Sequence, residues 1–244
     1  MNNEEKLKQA KTKPSLKCVV LSDTHGMHRQ ITVPEGDVLI HCGDFCKYGR
    51  KDEVVDFVEW LTEQPHKYII VTPGNHDRPA ERESNLVRDL FGAENMHLLL
   101  NEDVVIEGVK FWGSPITPKF LNWSFMRERG APLQAVWSQI PDDVDVLITH
   151  GPPYGHGDLA PAYYTPHLNV AGCLDLLNRV REIKTKSDWK YPRVHCFGHI
   201  HAGHGATQSN EFGDLVFINA AICTEEYLPT NQPLSFEIAA LKRG

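Results

Sequence analysis

Short apolar runs rich in Val, Ile and Leu recur along this 244-residue chain, and each stops abruptly at polar residues. Leu16–Ser22 (LKCVVLS), Asp37–His41 (DVLIH), Tyr68–Thr72 and Asp145–Thr149 (DVLIT) read as buried strands, with Arg193–Phe197 a further one. His97–Leu100, Val104–Ile106, Lys110–Trp112, Leu215–Ile218 and Leu234–Ile238 read as shorter strands split by turn residues such as Gly108. Asp52–Gln64 places Val54, Val55, Val58 and Leu61 at the spacing of a helix face, and Val170–Ile183 does the same with Leu174, Leu177 and Val180. Ala80–Gly92 reads as a helix stopped by Gly92. Strands alternating with helices early, then strands in a cluster, predict an α/β sandwich. Residues 1–15 are expected to form a polar tail and 16–244 one domain, since no repeat or linker divides them. Two Pro-rich stretches interrupt the pattern: Ser114–Pro132, with Phe120, Trp123 and Phe125, and Gly151–Asn169, with Tyr154, Tyr163 and Tyr164. Loops of this length in a compact domain are functional or disordered as a rule.

Charge and cysteine content narrow the class. A net charge of −7 gives no general electrostatic footprint for duplex nucleic acid. No run of 18 apolar residues is present, so no membrane span is expected, and the polar start lacks a signal-peptide core. Several of the six cysteines sit inside apolar strand-like runs, where a free Cys behaves as a small hydrophobe. A reduced, cytoplasmic protein with free thiols is the expectation. Thirteen His is a high count, and their positions carry the argument.

Five short motifs share one grammar: SDTH (Ser22–His25), GD (Gly43, Asp44), GNHD (Gly74–Asp77), TH (Thr149, His150) and GHIH (Gly198–His201). Each follows an apolar run and closes it with Asp, Asn or His. In an α/β fold the carboxyl ends of parallel strands gather along one edge, where ligands bind. Any one motif alone reads as a turn; five at five predicted strand ends point to one metal centre, because carboxylate, amide and imidazole donors suit Mn, Fe or Zn. Asp23 and His25 can chelate one metal, Asp44 can bridge two, Asn75 offers an amide oxygen, and His150, His199 and His201 supply imidazoles. The H-x-H spacing places the rings of His199 and His201 on one side of an extended chain. His76 is then left beside a ligand yet free to act, with Asp77 next in sequence to orient it.

This ordered set, from Asp23 through His201, resembles the signature of the calcineurin-like metallophosphoesterase superfamily. The chain bears a closer resemblance to the small metallophosphoesterase-domain proteins of the fetal-brain type, through THGPP (149–153), NW-x-F (122–125), GC-x-x-LLN-x-V (172–180), N-A-x-x-C-T (219–224) and PTN-x-P (229–233). The resemblance implies a four-layer α/β/β/α sandwich and a dinuclear centre. Asp23, His25 and His201 would hold the first metal, Asp44 would bridge, and Asn75, His150 and His199 would hold the second, with His76 the non-ligand histidine at the phosphate. Some close relatives lack the first His of the H-x-H pair; His199 is kept here. Manganese is the first expectation, with iron, zinc or cobalt compatible.

A hydroxide bridging the two metals is the expected nucleophile. The phosphoprotein phosphatase branch typically carries GD-x-x-DRG and GNHE, against GDFCKYGR and GNHD here, so a small-molecule phosphodiester or nucleotide, cyclic nucleotides included, is the expected substrate. The alternatives are a phosphomonoesterase or nuclease on the same centre, or a nucleotide-binding protein with low turnover. Phe45, Trp123, Tyr154 and Tyr163 are expected to wall the pocket with aromatic faces, and Lys47, Arg50, Lys119 and Arg127 are candidate phosphate contacts.

Overall fold

Along Ser15–Leu21, the first strand (β1), side chains divide between two apolar environments: Cys18 and Val20 join one buried cluster, Val19 and Leu21 another. Burial on both faces is why the run shows no polar alternation. The same division holds in β2 (Val38–His41) and β3 (Tyr68–Val71), where Ile40 and Ile70 face one cluster and Leu39 and Ile69 the other. This is a computed structural model describing residues 15–161 and 170–241.

Helix α1 (Lys51–Thr62) connects β2 to β3, and α2 (Arg78–Arg82) and α3 (Ser84–Leu90) connect β3 to β4 (Met96–Leu98). A hairpin of β5 (Glu102–Ile106) and β6 (Val109–Ser114) follows, then a small ribbon, β7 (Thr117–Pro118) with β8 (Met126–Arg127). Next come α4 (Ala131–Trp137), β9 (Val146–Thr149), α5 (Leu174–Lys186), β10 (Val194–Phe197), β11 (Gly205–Gln208), β12 (Val216–Asn219) and β13 (Leu234–Ala239). One sheet has the order β13-β1-β2-β3-β4 and the other β11-β12-β10-β9-β6-β5. Strands β1 to β4 run parallel, as do β6, β9, β10 and β12.

The cluster holding Cys18, Val20 and Ile40 also holds Phe111, Val146, Ile148 and Cys196, so it is the core between the two sheets. The outer faces are covered by helices. Phe57, Val58 and Leu61 of α1 pack with Val19, Leu39 and Ile69; Leu133 and Trp137 of α4 and Leu177, Val180 and Ile183 of α5 pack with Leu147 and Phe197. The four-layer α/β/β/α order expected from the resemblance is the one observed. All six cysteines are free and buried. No helix among the described residues is long and apolar enough to cross a membrane.

The structure corrects several expectations. The helix expected over 80–92 is two, broken at Glu83, whose backbone (φ −134, ψ 47) leaves the helical region. The helix expected from Val170 begins at Leu174, because Cys173 caps it, its Sγ accepting from Leu176 N–H at 3.4 Å. Helix α4 falls partly in a stretch read as loop. Ser15, assigned to the tail, already pairs with Ala239; the rest of that tail, and Tyr163 and Tyr164, lie outside the described residues.

Candidate metal centre

All five motifs sit just past the carboxyl ends of parallel strands: SDTH after β1, GD after β2, GNHD after β3, TH at the end of β9 and GHIH after β10. Backbone hydrogen bonds tie these ends together, Asp23 N–H to Gly43 O at 2.8 Å and Gly198 N–H to His150 O at 2.9 Å among them. Four of the seven expected ligands have left-handed backbone: Asp23 (φ 53), His25 (φ 43), Asp44 (φ 55) and His199 (φ 67). Asp and His tolerate that region better than most residues, yet each such position costs of order 1 kcal/mol. Strain concentrated at one sheet edge marks a functional site. Close approach does the rest. A Cβ on Gly198 would run into Asp23 Oδ2, and one on Gly74 into Asp44 Oδ1.

The two carboxylates are held alike. Asp23 Oδ2 accepts His199 N–H at 2.9 Å, and Asp44 Oδ1 accepts His76 N–H at 2.7 Å. Each leaves its other oxygen facing imidazoles. Asp23 Oδ1 makes no hydrogen bond, with His201 Nε2 3.4 Å away. Asp44 Oδ2 lies 3.4 Å from His150 Nε2 and 4.0 Å from His25 Nε2. Three rings are anchored through Nδ1 to a main-chain carbonyl: His150 to Cys42 O, His201 to Thr224 O and His76 to Lys47 O, each at 2.9 Å. A carbonyl only accepts, so Nδ1 carries the proton and Nε2 is turned to the shared space. There His25 Nε2 lies 3.2 Å from His201 Nε2, and His150 Nε2 lies 2.9 Å from Asn75 Oδ1. Asp23, His25 and His201 bring one donor atom each within 4.8 Å of one another; so do Asp44, His150 and His199, and so do His25, Asp44 and His76.

Two details differ from the sequence reading. His199 and His201 do not point the same way: His199 rests against His150 (ring centroids 4.9 Å apart) and His201 against His25 (5.2 Å). The left-handed turn at His199 and the helical turn starting at His201 replace the extended chain assumed for them. Asp77 does not orient His76. Its buried carboxylate accepts backbone N–H groups from Gly74 (2.7 Å), Asp44 (2.9 Å) and Cys46 (2.8 Å), binding the GNHD turn to the GD turn. His76 is instead steered by the Lys47 carbonyl and by Trp123, stacked on its ring at 4.4 Å.

The electrostatics follow from this geometry. Burial drives His25 and His199 down to about 4. Burial opposes charge on His150 and His201 too, but Asp44 beside the first and Asp23 beside the second raise both to about 9. Asp23 and Asp44 are buried, yet facing imidazoles hold both below the usual carboxylate range. Behind the centre, burial lowers His41 and His195 to about 3. His41 contacts Thr24 Oγ1 at 3.1 Å, and His195 contacts Thr149 Oγ1 at 2.8 Å, so each backs the threonine of a motif.

The centre opens into a cavity of about 400 Å3. His25, Asp44, Asn75, His76, His199 and His201 form its floor, and its walls include Pro118, Phe120, Leu121, Trp123, Val170 and Tyr227. Of the expected aromatics, Trp123 is the one there among the described residues. Phe45 is fully buried and stacked on Phe57 at 4.3 Å, Tyr154 is exposed elsewhere, and Tyr163 lies outside the described residues. Tyr227, which no sequence motif marks as a site residue, sits edge-on to His25 and His201. Of the candidate cations, Lys119 lines the cavity, while Lys47, Arg50 and Arg127 do not; Arg129, not expected, does.

The donor set fits two metal ions. Carboxylate, amide and imidazole atoms converge, and Asp23 Oδ1, among facing imidazoles, is buried without a hydrogen-bond partner.

Comparison with known proteins agrees. The family model described as calcineurin-like phosphoesterase matches residues 16–203. Human metallophosphoesterase domain-containing protein 1 is 37% identical over 242 residues, covering 90% of this chain and 70% of that protein. The Caenorhabditis elegans protein named UPF0046 protein K07C11.7 is also 37% identical, covering 92% of this chain and 76% of its own length. A solved structure, that of the Thermus thermophilus protein TT1561, superposes with a TM-score of 0.53 at 14% identity, over 84% of this chain and 89% of that one. That likeness concerns the fold alone.

Proposed function

The chain belongs to the calcineurin-like phosphoesterase family, whose members hydrolyse phosphoesters with a dinuclear metal centre, and from that premise we propose that it is a phosphodiesterase acting on small diesters. Asp23, His25 and His201 would hold one metal, Asn75, His150 and His199 the other, and Asp44 both. Manganese is the first candidate for this mixed oxygen and nitrogen set, with iron, zinc or cobalt also compatible. Bound there, the metals supply Lewis-acid charge to the phosphate and lower the pKa of water toward neutrality.

The chain's own residues supply the rest. Nδ1 of His76 is committed to Lys47 O, so only Nε2 is available to substrate. As the oxygen of water adds to phosphorus opposite the ester oxygen and that P–O bond breaks, a proton on His76 Nε2 passes to the departing oxygen, and the proton that the water gives up restores it. Trp123, packed on His76 and carrying the Arg78 guanidinium 5.2 Å from its ring centroid, keeps the imidazole from rotating away.

The observation that favours a diester is the cavity wall. A monoester dianion calls for added cationic side chains beside the centre. A diester carries one charge and a second organic group that needs apolar room. The walls here are largely apolar; of the two basic side chains on them, Lys119 is tied to Glu128 at 2.5 Å and Arg129 is held by the Gly172 and Ala171 carbonyls, so the charge they offer is one guanidinium on the wall rather than a cationic cluster at the centre. Cyclic nucleotides are one such class. Six free thiols fit a reducing, cytoplasmic setting.

The test is to strip the protein of metal, add manganese back, and compare bis(p-nitrophenyl) phosphate with p-nitrophenyl phosphate. Hydrolysis should return with metal and favour the diester, and Asp44→Asn should cost about 100-fold or more. A preference for the monoester would overturn the diester reading.

A further inference from the structure

The cavity wall carries charged side chains that differ in their commitments. Lys119 Nζ is paired with Glu128, and Glu225, at the far side near His201, has Oε1 accepting Ala202 N–H at 2.9 Å. Arg129 is different. Its Nη1 donates to Gly172 O at 2.9 Å and its Nη2 to Ala171 O at 3.1 Å, both main-chain carbonyls on the same wall. Those bonds fix the guanidinium plane but neutralise none of its charge. No carboxylate pairs with Arg129 among the described residues; Asp175, which accepts the N–H of the next residue, Gly130, at 3.0 Å, also accepts Gln134 Nε2 at 2.8 Å. Two donors are used, and a guanidinium has several more in a rigid fork suited to an oxyanion. Arg129 is thus a pre-oriented, exposed cation without a carboxylate partner among the described residues, on the same wall as the apolar Phe120, Leu121 and Val170, and that placement suits an anion.

Resting on the diesterase reading above, we propose that Arg129 binds an oxyanion, carboxylate or phosphate, on the half of the diester that does not depart. The preferred substrate then carries a second negative charge away from the scissile phosphate. The apolar residues Phe120, Leu121 and Val170 hold the carbon skeleton between the two charges. Leu121 supports this: it is 68% exposed and held at φ 54, a backbone region leucine rarely adopts, yet it faces the cavity.

The experiment uses p-nitrophenyl aryl phosphates on the manganese-loaded protein. All release p-nitrophenolate, and the remaining ring bears hydrogen, a 4-carboxylate, a 4-phosphonate or a 4-trimethylammonium group. The anionic esters are expected to exceed the neutral one in kcat/KM by about tenfold, the worth of one charge-assisted hydrogen bond. The carboxylate and phosphonate arms tell the two anions apart. Arg129→Gln should bring the ratio near unity with an unaltered thermal midpoint, and Arg129→Lys should keep part of it. A ratio unmoved by Arg129→Gln overturns the proposal. So does an equal loss on every ester with a lower thermal midpoint, which would make Arg129 a structural tie. Preference for the trimethylammonium ester also overturns it, in favour of Glu225. If no diester is cleaved while p-nitrophenyl phosphate is, the diesterase reading fails. Calorimetric titration of the same esters then decides Arg129: tighter binding of the anionic esters, lost in Arg129→Gln, sustains it, and equal binding overturns it.

Discussion

His76 has one ring nitrogen tied to the Lys47 carbonyl and one facing the cavity, and that asymmetry sets its chemistry. With Nδ1–H fixed as a donor, a second proton can sit only on Nε2, where it can be given to a departing oxygen. General-acid help matters most when the leaving group is a poor one. His76→Ala is therefore expected to lower kcat by about 100-fold or more for a phosphodiester that releases an alkoxide. The loss should be about tenfold smaller when p-nitrophenolate leaves. Steady-state rates across a series of leaving groups check this. A uniform loss would reduce His76 to a charge stabiliser. The role given to Asp77 shows where adjacency in sequence misleads. It neighbours His76 along the chain, but its carboxylate turns inward to three backbone N–H groups, and an inward turn leaves no trace in residue type.

At the scale of elements, the strand ends were the most legible feature. Runs such as DVLIH and DVLIT are buried on both faces, so their apolar character is continuous, and Asp, Asn or His after them stands out. Legibility failed where the chain departs from regular geometry. Helix α4 was hidden because Gly130 and Pro132 read as loop punctuation, although Pro in the first turn also opens helices, and Leu133, Val136 and Trp137 have helical spacing. The 80–92 helix looked continuous because nothing in the residue types around Glu83 announces its break. The divergence of His199 and His201 needs φ 67 at His199, which no spacing rule supplies. Gly198 is the tightest contact between the elements: it brings the end of β10 against Ser22 and Asp23 beyond β1. Gly198→Ala should separate those ends. The expected result is a chain with near-native far-UV circular dichroism that retains less than about half its metal and loses activity by about 100-fold, since small displacements in a catalytic site carry large costs. Metal content by mass spectrometry of the native protein is the check, and full loading would show that the close approach is not what sets the centre.

Across the whole molecule, two sets of buried histidines act in opposite directions on stability. His41 and His195, at about 3 in the fold, and His25 and His199, at about 4, stay neutral where an unfolded chain would take up protons below about 6.5. The unfolded state then binds more protons, so their contribution is lost as pH falls from about 6.5 toward 4 and below. His150 and His201, raised to about 9 by Asp44 and Asp23 despite burial, behave oppositely. Their contribution is full below about 6.5 and disappears as pH rises through 9. The metal-free protein should therefore be most stable near pH 6.5 and weaken on either side. Metal ligation needs both Nε2 atoms unprotonated, so loading at pH 7 should expel about two protons. Each proton makes metal binding more favourable by about 1.4 kcal/mol per pH unit over that range. The metal-loaded protein should thus hold its stability well above pH 7, where the metal-free form declines. Denaturant midpoints from pH 5 to 9, with and without manganese, trace the two curves, and calorimetry in buffers of differing ionisation enthalpy counts the protons. No proton release at pH 7 would mean that His150 and His201 are already neutral, and that the carboxylates, not the imidazoles, carry the charge that the metals compensate.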